Sequence, residues 1–364
     1  MQRMKRGLGA ALTGALLPLA VACSPTSVRT EPPAAGSPGA ITARLEVEVP
    51  ALMAKYRLPA VGIALIADQR ITWTKVYGEQ GPGIKATDAT LFNVASLTKP
   101  IVTMTTLRLV SMGKWDLDEP LAHYWVDPDI ANDPRHAKLT TRHVLSHQTG
   151  FPNWRWQDPS KKLAFQFDPG TKFQYSGEGF EYLRRALEKK FGQPLAQLAA
   201  STIFQPLGMK DTQFTWCEHT DESRFARWHD QNGENSYTDY KATTTNAADN
   251  LLTTVEDYGR FAASVINGDG LTKAVFDDMV RPHAAMKGQG VMGLGWEIQP
   301  NLTGGVYALI HSGSDDGVKT LVILLPKSTQ GLIVFTNGDN GFNLYEKVIT
   351  EELDLGKEIM GRAQ

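Results

Sequence analysis

A chain of 364 residues is long enough to bury a large core, in one big or two interlocked units. Its 42% apolar and 21% charged residues are ordinary for a soluble globular protein, and 37 basic against 39 acidic residues give a net charge of −2. No basic cluster in the body offers a footing for nucleic acid, and no run there of 18 apolar residues could span a membrane.

The N-terminus reads differently from the rest. Arg3, Lys5 and Arg6 precede an apolar stretch, 7–22, that Pro18 interrupts and Ala20-Val21-Ala22 closes with small residues. This is the layout of a signal peptide over residues 1–22. Cys23 follows directly, so this end resembles a bacterial lipoprotein signal, whose cysteine is lipidated. Leu19 stands one position early for that pattern, which leaves ordinary cleavage open. Either route implies an exported protein of the periplasm or cell envelope, with membrane contact only through a lipid at Cys23. Losing three basic residues leaves 34 basic against 39 acidic, a net −5. With Cys23 processed, Cys217 is the sole remaining cysteine and no intramolecular disulfide can form. Cys217 has no paired histidine motif and reads as packed or inert.

Residues 23–40, rich in Pro, Ser, Ala and Gly, read as a tether. A helical pattern follows over 41–56, then β-rich runs at 61–66 and 71–77 around a turn at 67–70, a hairpin. An apolar helix runs from Ser96 to about Met112. The middle is helix-rich to about 283, with helices expected at 140–147, 179–191 and 254–266 between loops dense in Gly, Asn, Asp and Trp. The end returns to strands at 306–311, 319–325 and 331–336 and closes on a helix near 342–353. Strands at both ends around a helical insert imply one antiparallel sheet built from both termini.

Ser96-Leu97-Thr98-Lys99 carries the chemistry. A serine three residues before a lysine shares its helical face, with Cβ atoms about 5–6 Å apart. A lysine amine kept neutral by burial can take the hydroxyl proton. The surrounding Leu97, Ile101, Val102, Met104, Leu107, Leu109 and Val110 make the helix apolar nearly all round, hence buried. Ser111 to Lys114 repeats the spacing, but Gly113 interrupts it and Asp116, Asp118 and Pro120 follow, so it reads as a helix end.

Tyr175-Ser176-Gly177 follows a turn at Asp168-Pro169-Gly170, and His311-Ser312-Gly313 ends an apolar run. Each alone reads as packing. Ser-x-x-Lys, then Tyr-x-x, then His-x-Gly in this order resembles the serine β-lactamase and penicillin-binding-protein superfamily. The nearest branch is the class C type, with D,D-peptidase, D-aminopeptidase and esterase relatives. The segments at 139–150, 206–212 and 335–338 look like hallmarks of that family, and the likeness extends over about 45–341.

The resemblance implies an α+β fold, with a central antiparallel sheet from both chain ends, flanked by helices, and an inserted, mostly helical subdomain. The catalytic domain would run over 41–355, its α/β part 41–92 plus 285–355 and its helical part 93–284. The resemblance implies that Ser96 is the acylated nucleophile and Lys99 accepts its proton. Tyr175 would share proton transfer and help activate the deacylating water. His311 would shape the electrostatics, relay a proton or hold a substrate carboxylate. The backbone N–H groups of Ser96 and Ser314 would form the oxyanion hole.

Two departures stand out. Gly177 replaces the asparagine that usually binds the substrate's acyl-side amide, which puts amide substrates in doubt. His311 replaces the usual lysine of β-lactamases, which lowers that reading. Gly177 and Gly313 are expected against the substrate, Gly313 because a backbone approaches closely where no Cβ intrudes. Trp154 and Trp156 either line the pocket or pin a loop to the body. His143 and His147 have a zinc-compatible spacing but lack the glutamate of H-E-x-x-H, so no metal is expected, and no cofactor.

The function expected is a serine hydrolase working through an acyl-enzyme on small-molecule or peptide substrates: peptides, amides or esters, D-amino-acid peptidase or carboxypeptidase-like. The alternatives are a carboxylesterase, then a β-lactamase, then a non-catalytic binding or scaffold relative. The intact Ser96, Lys99 and Tyr175 argue against the last, and the absence of Gly-x-Ser-x-Gly argues against an α/β-hydrolase.

Overall fold

The computed structural model describes residues 38–363, apart from 240, 289 and 354. The signal peptide, Cys23 and all but the last three residues of the expected tether lie outside the described residues. The first half of the chain holds α1 (Pro38–Tyr56), β1 (Ala60–Ala67), β2 (Arg70–Gly81), β3 (Ile84–Lys85), β4 (Phe92–Asn93), α2 (Thr98–Ser111), α3 (Thr141–Leu145) and α4 (Gly177–Phe191). Next come α5 (Leu195–Ala199), α6 (Gln205–Leu207), β5 (Leu252–Thr253), α7 (Val255–Asn267) and α8 (Lys273–Met279). The chain ends with β6 (Ala284–Ala285), β7 (Val291–Met292), β8 (Glu297–Leu302), β9 (Val306–Asp315), β10 (Val318–Leu325), β11 (Gln330–Thr336), α9 (Gly341–Glu352) and α10 (Gly356–Ala363).

The apolar runs 61–66, 319–325 and 331–336 lack polar alternation because both their faces are covered. Ile63, Ile323 and Val334 point to one side, where Leu45 and Val49 of α1 and Leu344 and Val348 of α9 pack on them. Ala64, Val322, Ile333 and Phe335 point to the other, against Phe261 and Ala262 of α7 and the helical part. The strand order is β3-β2-β1-β11-β10-β9-β8-β7-β6, and every pairing is antiparallel. β1 lies against β11 with Ile63 opposite Val334, which joins the two chain ends as expected.

α2 is the central helix: every residue from Thr98 to Leu109 is buried. Thr105 and Thr106 satisfy their hydroxyls within the helix, each donating to the carbonyl four residues back at 2.8 Å, whereas Thr103 Oγ1 is buried with no hydrogen-bond partner among the described residues.

The folded chain runs past both expected limits. α1 begins at Pro38 rather than 41. Beyond 355, α10 buries Ile359 at 1% exposure, and Arg362 Nη1 donates to Pro300 O at 2.6 Å. The edge strands β6 and β7 and the start of β8 were not legible, being short and broken by glycines at 288, 290, 293 and 295.

Candidate active site

Ser96 sits in a single tight turn, Ala95–Leu97, that leads into α2. Ala95 takes a left-handed backbone, φ 47°, which a residue with a Cβ adopts only when its surroundings impose it. The turn is tied down from four sides. Ala95 N donates to Asn93 Oδ1 at 2.7 Å, and Thr98 Oγ1 returns to Ala95 O at 2.7 Å. Tyr258 Oη donates to Leu97 O at 3.0 Å, and Thr320 Oγ1 of β10 donates to Val94 O at 2.9 Å.

One turn on, Lys99 is fully buried, and its Nζ lies 3.0 Å from Ser96 Oγ and 2.8 Å from Ala248 O. The same Nζ stands 4.7 Å from the centre of the Tyr175 ring. Ser96, Lys99 and Tyr175, separated in the sequence by up to 79 positions, are thereby brought together. Ser111, by contrast, accepts the N–H of Thr272 at 3.1 Å, and Lys114 is exposed, so the second spacing is a helix end as read.

His147 was not anticipated here. Helix α3 stops at Leu145, and His147 turns left-handed, φ 54°, to lie buried beneath Tyr175. The two rings stack at 4.3 Å with 29° between their planes. Nδ1 accepts the N–H of Ser176 at 3.1 Å, so the proton sits on Nε2, which is buried and has no hydrogen-bond partner among the described residues. Burial holds this imidazole well below its ordinary pKa and hence neutral. His147 is a positioning residue for Tyr175. His143 does different work: its Nδ1 accepts the N–H of Thr140 at 3.3 Å and closes the start of α3.

β9 forms the opposite wall. His311 is buried at 7% exposure, and its Nδ1–H donates to Ser312 O at 3.0 Å. Burial lowers its pKa to about 3. The neutral ring offers Nε2 as an acceptor rather than a cation. Gly313 also differs from expectation. A Cβ there would lie 2.3 Å from Thr320 Oγ1 and 2.4 Å from Val94 O. The glycine is needed so that β9 can press against the nucleophile turn; the space is filled by protein, not left for substrate. Asp315, just after Ser314, has its carboxyl pKa raised, by burial first and by Asp249 second.

A cavity of about 320 Å³ opens onto these groups, lined by Ser96, Asn153, Tyr175, Glu297, His311 and Ser314 among others. Asn153 is the residue sequence reading missed. Its Oδ1 accepts the N–H of Gly177 at 2.9 Å, which leaves the carboxamide nitrogen for the cavity. A carboxamide from 24 residues upstream thus stands beside position 177 at the cavity. Gly177 itself is buried and does not line the cavity; a Cβ there would lie 2.7 Å from the ring of Trp154.

Trp154 packs on the core and Trp156 is 62% exposed, so neither lines the cavity. Between them Arg155 bridges to Asp127, Asp129 and Glu178 at 2.8–3.1 Å and pins this loop to the body. Cys217 is exposed rather than packed, and a hydrogen bond from Thr220 lowers its thiol pKa.

This fold, with Ser-x-x-Lys at the head of a buried helix facing a sheet strand, defines a penicillin-binding-protein-like architecture. The Beta-lactamase family profile matches residues 46–355, and the chain belongs to that family. Among solved structures, the octameric penicillin-binding protein homologue from Pyrococcus abyssi aligns with a TM-score of 0.69 at 22% identity, covering 82% of this chain and 74% of that one. The D-amino acid amidase from Ochrobactrum anthropi SV3 aligns with a TM-score of 0.66 at 23% identity, over 82% and 90%. Esterase EstB from Burkholderia gladioli is 28% identical over 208 residues, 49% of this chain and 53% of its own length. The D-alanyl-D-alanine-carboxypeptidase/endopeptidase AmpH from Escherichia coli K12 is 28% identical over 187 residues, 44% and 47%. The matched stretch thus spans about half the length of these two relatives.

Proposed function

We propose that the protein is a serine hydrolase that passes through an acyl-enzyme at Ser96 and acts on peptides or amides of the D-aminoacyl or peptidoglycan type. The observation that carries this reading is the 3.0 Å approach of the buried Lys99 Nζ to Ser96 Oγ, with the Tyr175 ring 4.7 Å from the same amine. Ser96 Oγ adds to the substrate carbonyl carbon, and its proton passes to Lys99 directly or by way of the Tyr175 hydroxyl. The oxyanion falls to the backbone N–H groups of Ser96 and Ser314, each such donor contributing about 3–4 kcal/mol. Collapse breaks the bond to the leaving amine or alcohol, which takes up that proton. Water then adds to the acyl carbon and gives a proton to Tyr175 or Lys99, the bond from that carbon to Ser96 Oγ breaks, Oγ takes the proton back, and the acid product leaves.

The Asn153 carboxamide at the cavity supports amide substrates, since it offers the contact that Gly177 lacks. An ester substrate is the second reading, favoured by the likeness to Esterase EstB. A β-lactam is disfavoured, because the neutral His311 offers its carboxylate no cation. We place the protein in the cell envelope, exported by residues 1–22 and anchored by a lipid on Cys23. No described helix is long and apolar enough to cross a membrane.

The test is an intact-mass spectrum of the mature protein and of Ser96→Ala after a fluorophosphonate probe and, separately, benzylpenicillin. One probe adduct on the wild type, absent from Ser96→Ala, is expected; an unlabelled folded wild type would sink the hydrolase reading. A stable penicilloyl adduct would favour the peptidase type. Opened drug without adduct would favour a β-lactamase, and neither result would favour an esterase.

A further inference from the structure

Glu297 opens β8 and lines the cavity that holds Ser96, Tyr175 and His311. Its carboxyl has no hydrogen bond and no ion pair among the described residues, although it is half-buried in the cavity wall. Such a group is left to the water of the cavity or to a ligand that enters it. Burial alone displaces its pKa, upwards, as expected of a carboxyl with no partner. Among the described residues lining the cavity it is the only acid or base besides the neutral His311 and the Tyr175 phenol, and no cation lies there to meet it.

Its place in the sheet directs it at a ligand. β8 pairs with β9 as far as Glu297 opposite Ile310. Beyond that register β9 runs on through His311 to Asp315 with β10 on one side and no strand on the other among the described residues. The open edge, with Ser312 and Ser314, borders the cavity, and Glu297 stands where it begins. Met286, Met292 and Ile310 surround the approach with apolar surface.

We propose that Glu297 is a specificity-determining residue that pairs with a primary ammonium on the acyl part of the substrate. The substrate class is then an aminoacyl peptide, amide or ester whose acyl group carries a free amine, in preference to the same group acylated on nitrogen. This rests on the hydrolase reading above and narrows it.

The test compares matched pairs of methyl esters, D-alanine and 6-aminohexanoate, each against its N-acetyl counterpart, on wild type, Glu297→Gln and Glu297→Lys. In the wild type the free amine of at least one pair is expected to raise kcat/KM by about 10- to 100-fold, the worth of one charged hydrogen bond. Glu297→Gln erases that ratio and Glu297→Lys inverts it. Equal rates within both pairs in the wild type, or a preference that survives in Glu297→Gln, would overturn the proposal. Binding of the same pairs to Ser96→Ala and to Ser96→Ala/Glu297→Gln, followed by ligand-observed NMR, reads the preference without turnover. Failure of the fluorophosphonate to label Ser96 would count against the hydrolase reading; failure of the amine preference counts only against Glu297.

Discussion

The two ends of α2 carry the same spacing, Ser96 to Lys99 and Ser111 to Lys114, in opposite surroundings. At the first, the lysine is fully buried and held by Ala248 O, and the serine sits in a turn fixed by Asn93, Tyr258 and Thr320. At the second, the lysine is in water and the serine hydroxyl accepts a backbone N–H from Thr272. The motif is common to both ends; the enclosure is not. The two ends differ in what removes water and fixes the amine.

The sharpest way to break this contrast is to remove each lysine in turn. Lys99→Ala should slow fluorophosphonate labelling of Ser96 by about 10²- to 10⁴-fold, the usual worth of a positioned proton acceptor, and Lys114→Ala should leave it unchanged. Equal effects would mean the enclosure does not matter. Gly313→Ala attacks the enclosure itself. Its new Cβ must displace Thr320 Oγ1 or Val94 O, both under 2.5 Å away. A shift of about 1 Å at the nucleophile turn should cost about 10²-fold in kcat/KM, with a lower melting temperature alongside.

The dryness of the first end can be read from pH. His147 and His311 are held neutral below their unfolded value of about 6.5, so the unfolded chain binds protons first as pH falls. Their contribution to stability is complete above that value and is lost as pH drops through 6.5, towards about 3 for His311. By pH 5 His311 should have removed about 2 kcal/mol, and His147 acts in the same direction. Urea unfolding at pH 7.5 and 5.0 checks this: His311→Asn should lose about 2 kcal/mol less than the wild type, and an equal loss would mean that His311 is not a dry, neutral group. The smallest effect expected is at Asn153. Asn153→Ala should lower kcat/KM for an amide about 3- to 10-fold, one neutral hydrogen bond, and leave the matching ester nearly unaffected.

Much of this was legible from the chain. The central strands announce themselves because both faces are apolar, and Ser96, Lys99, Tyr175 and His311 because order and spacing together are specific. What remained hidden depended on contacts across long stretches of chain. Gly177 reads as a lost contact until the fold carries Asn153 to its side. Gly313 reads as room for substrate until Val94 is seen to occupy that room. His147 reads as one of a histidine pair until α3 ends early and turns its ring under Tyr175. Glu297 lies in a strand whose short, glycine-broken neighbours give no periodic signal.

The bond from Thr320 Oγ1 to Val94 O spans 226 positions of chain. The turn that aims the nucleophile is therefore braced by one of the last strands to be made. A nascent or truncated copy holds Ser96 and Lys99 but lacks the strap that sets their geometry. The arrangement that sets Ser96 beside Lys99 is therefore completed only when the last strands have been added to the sheet.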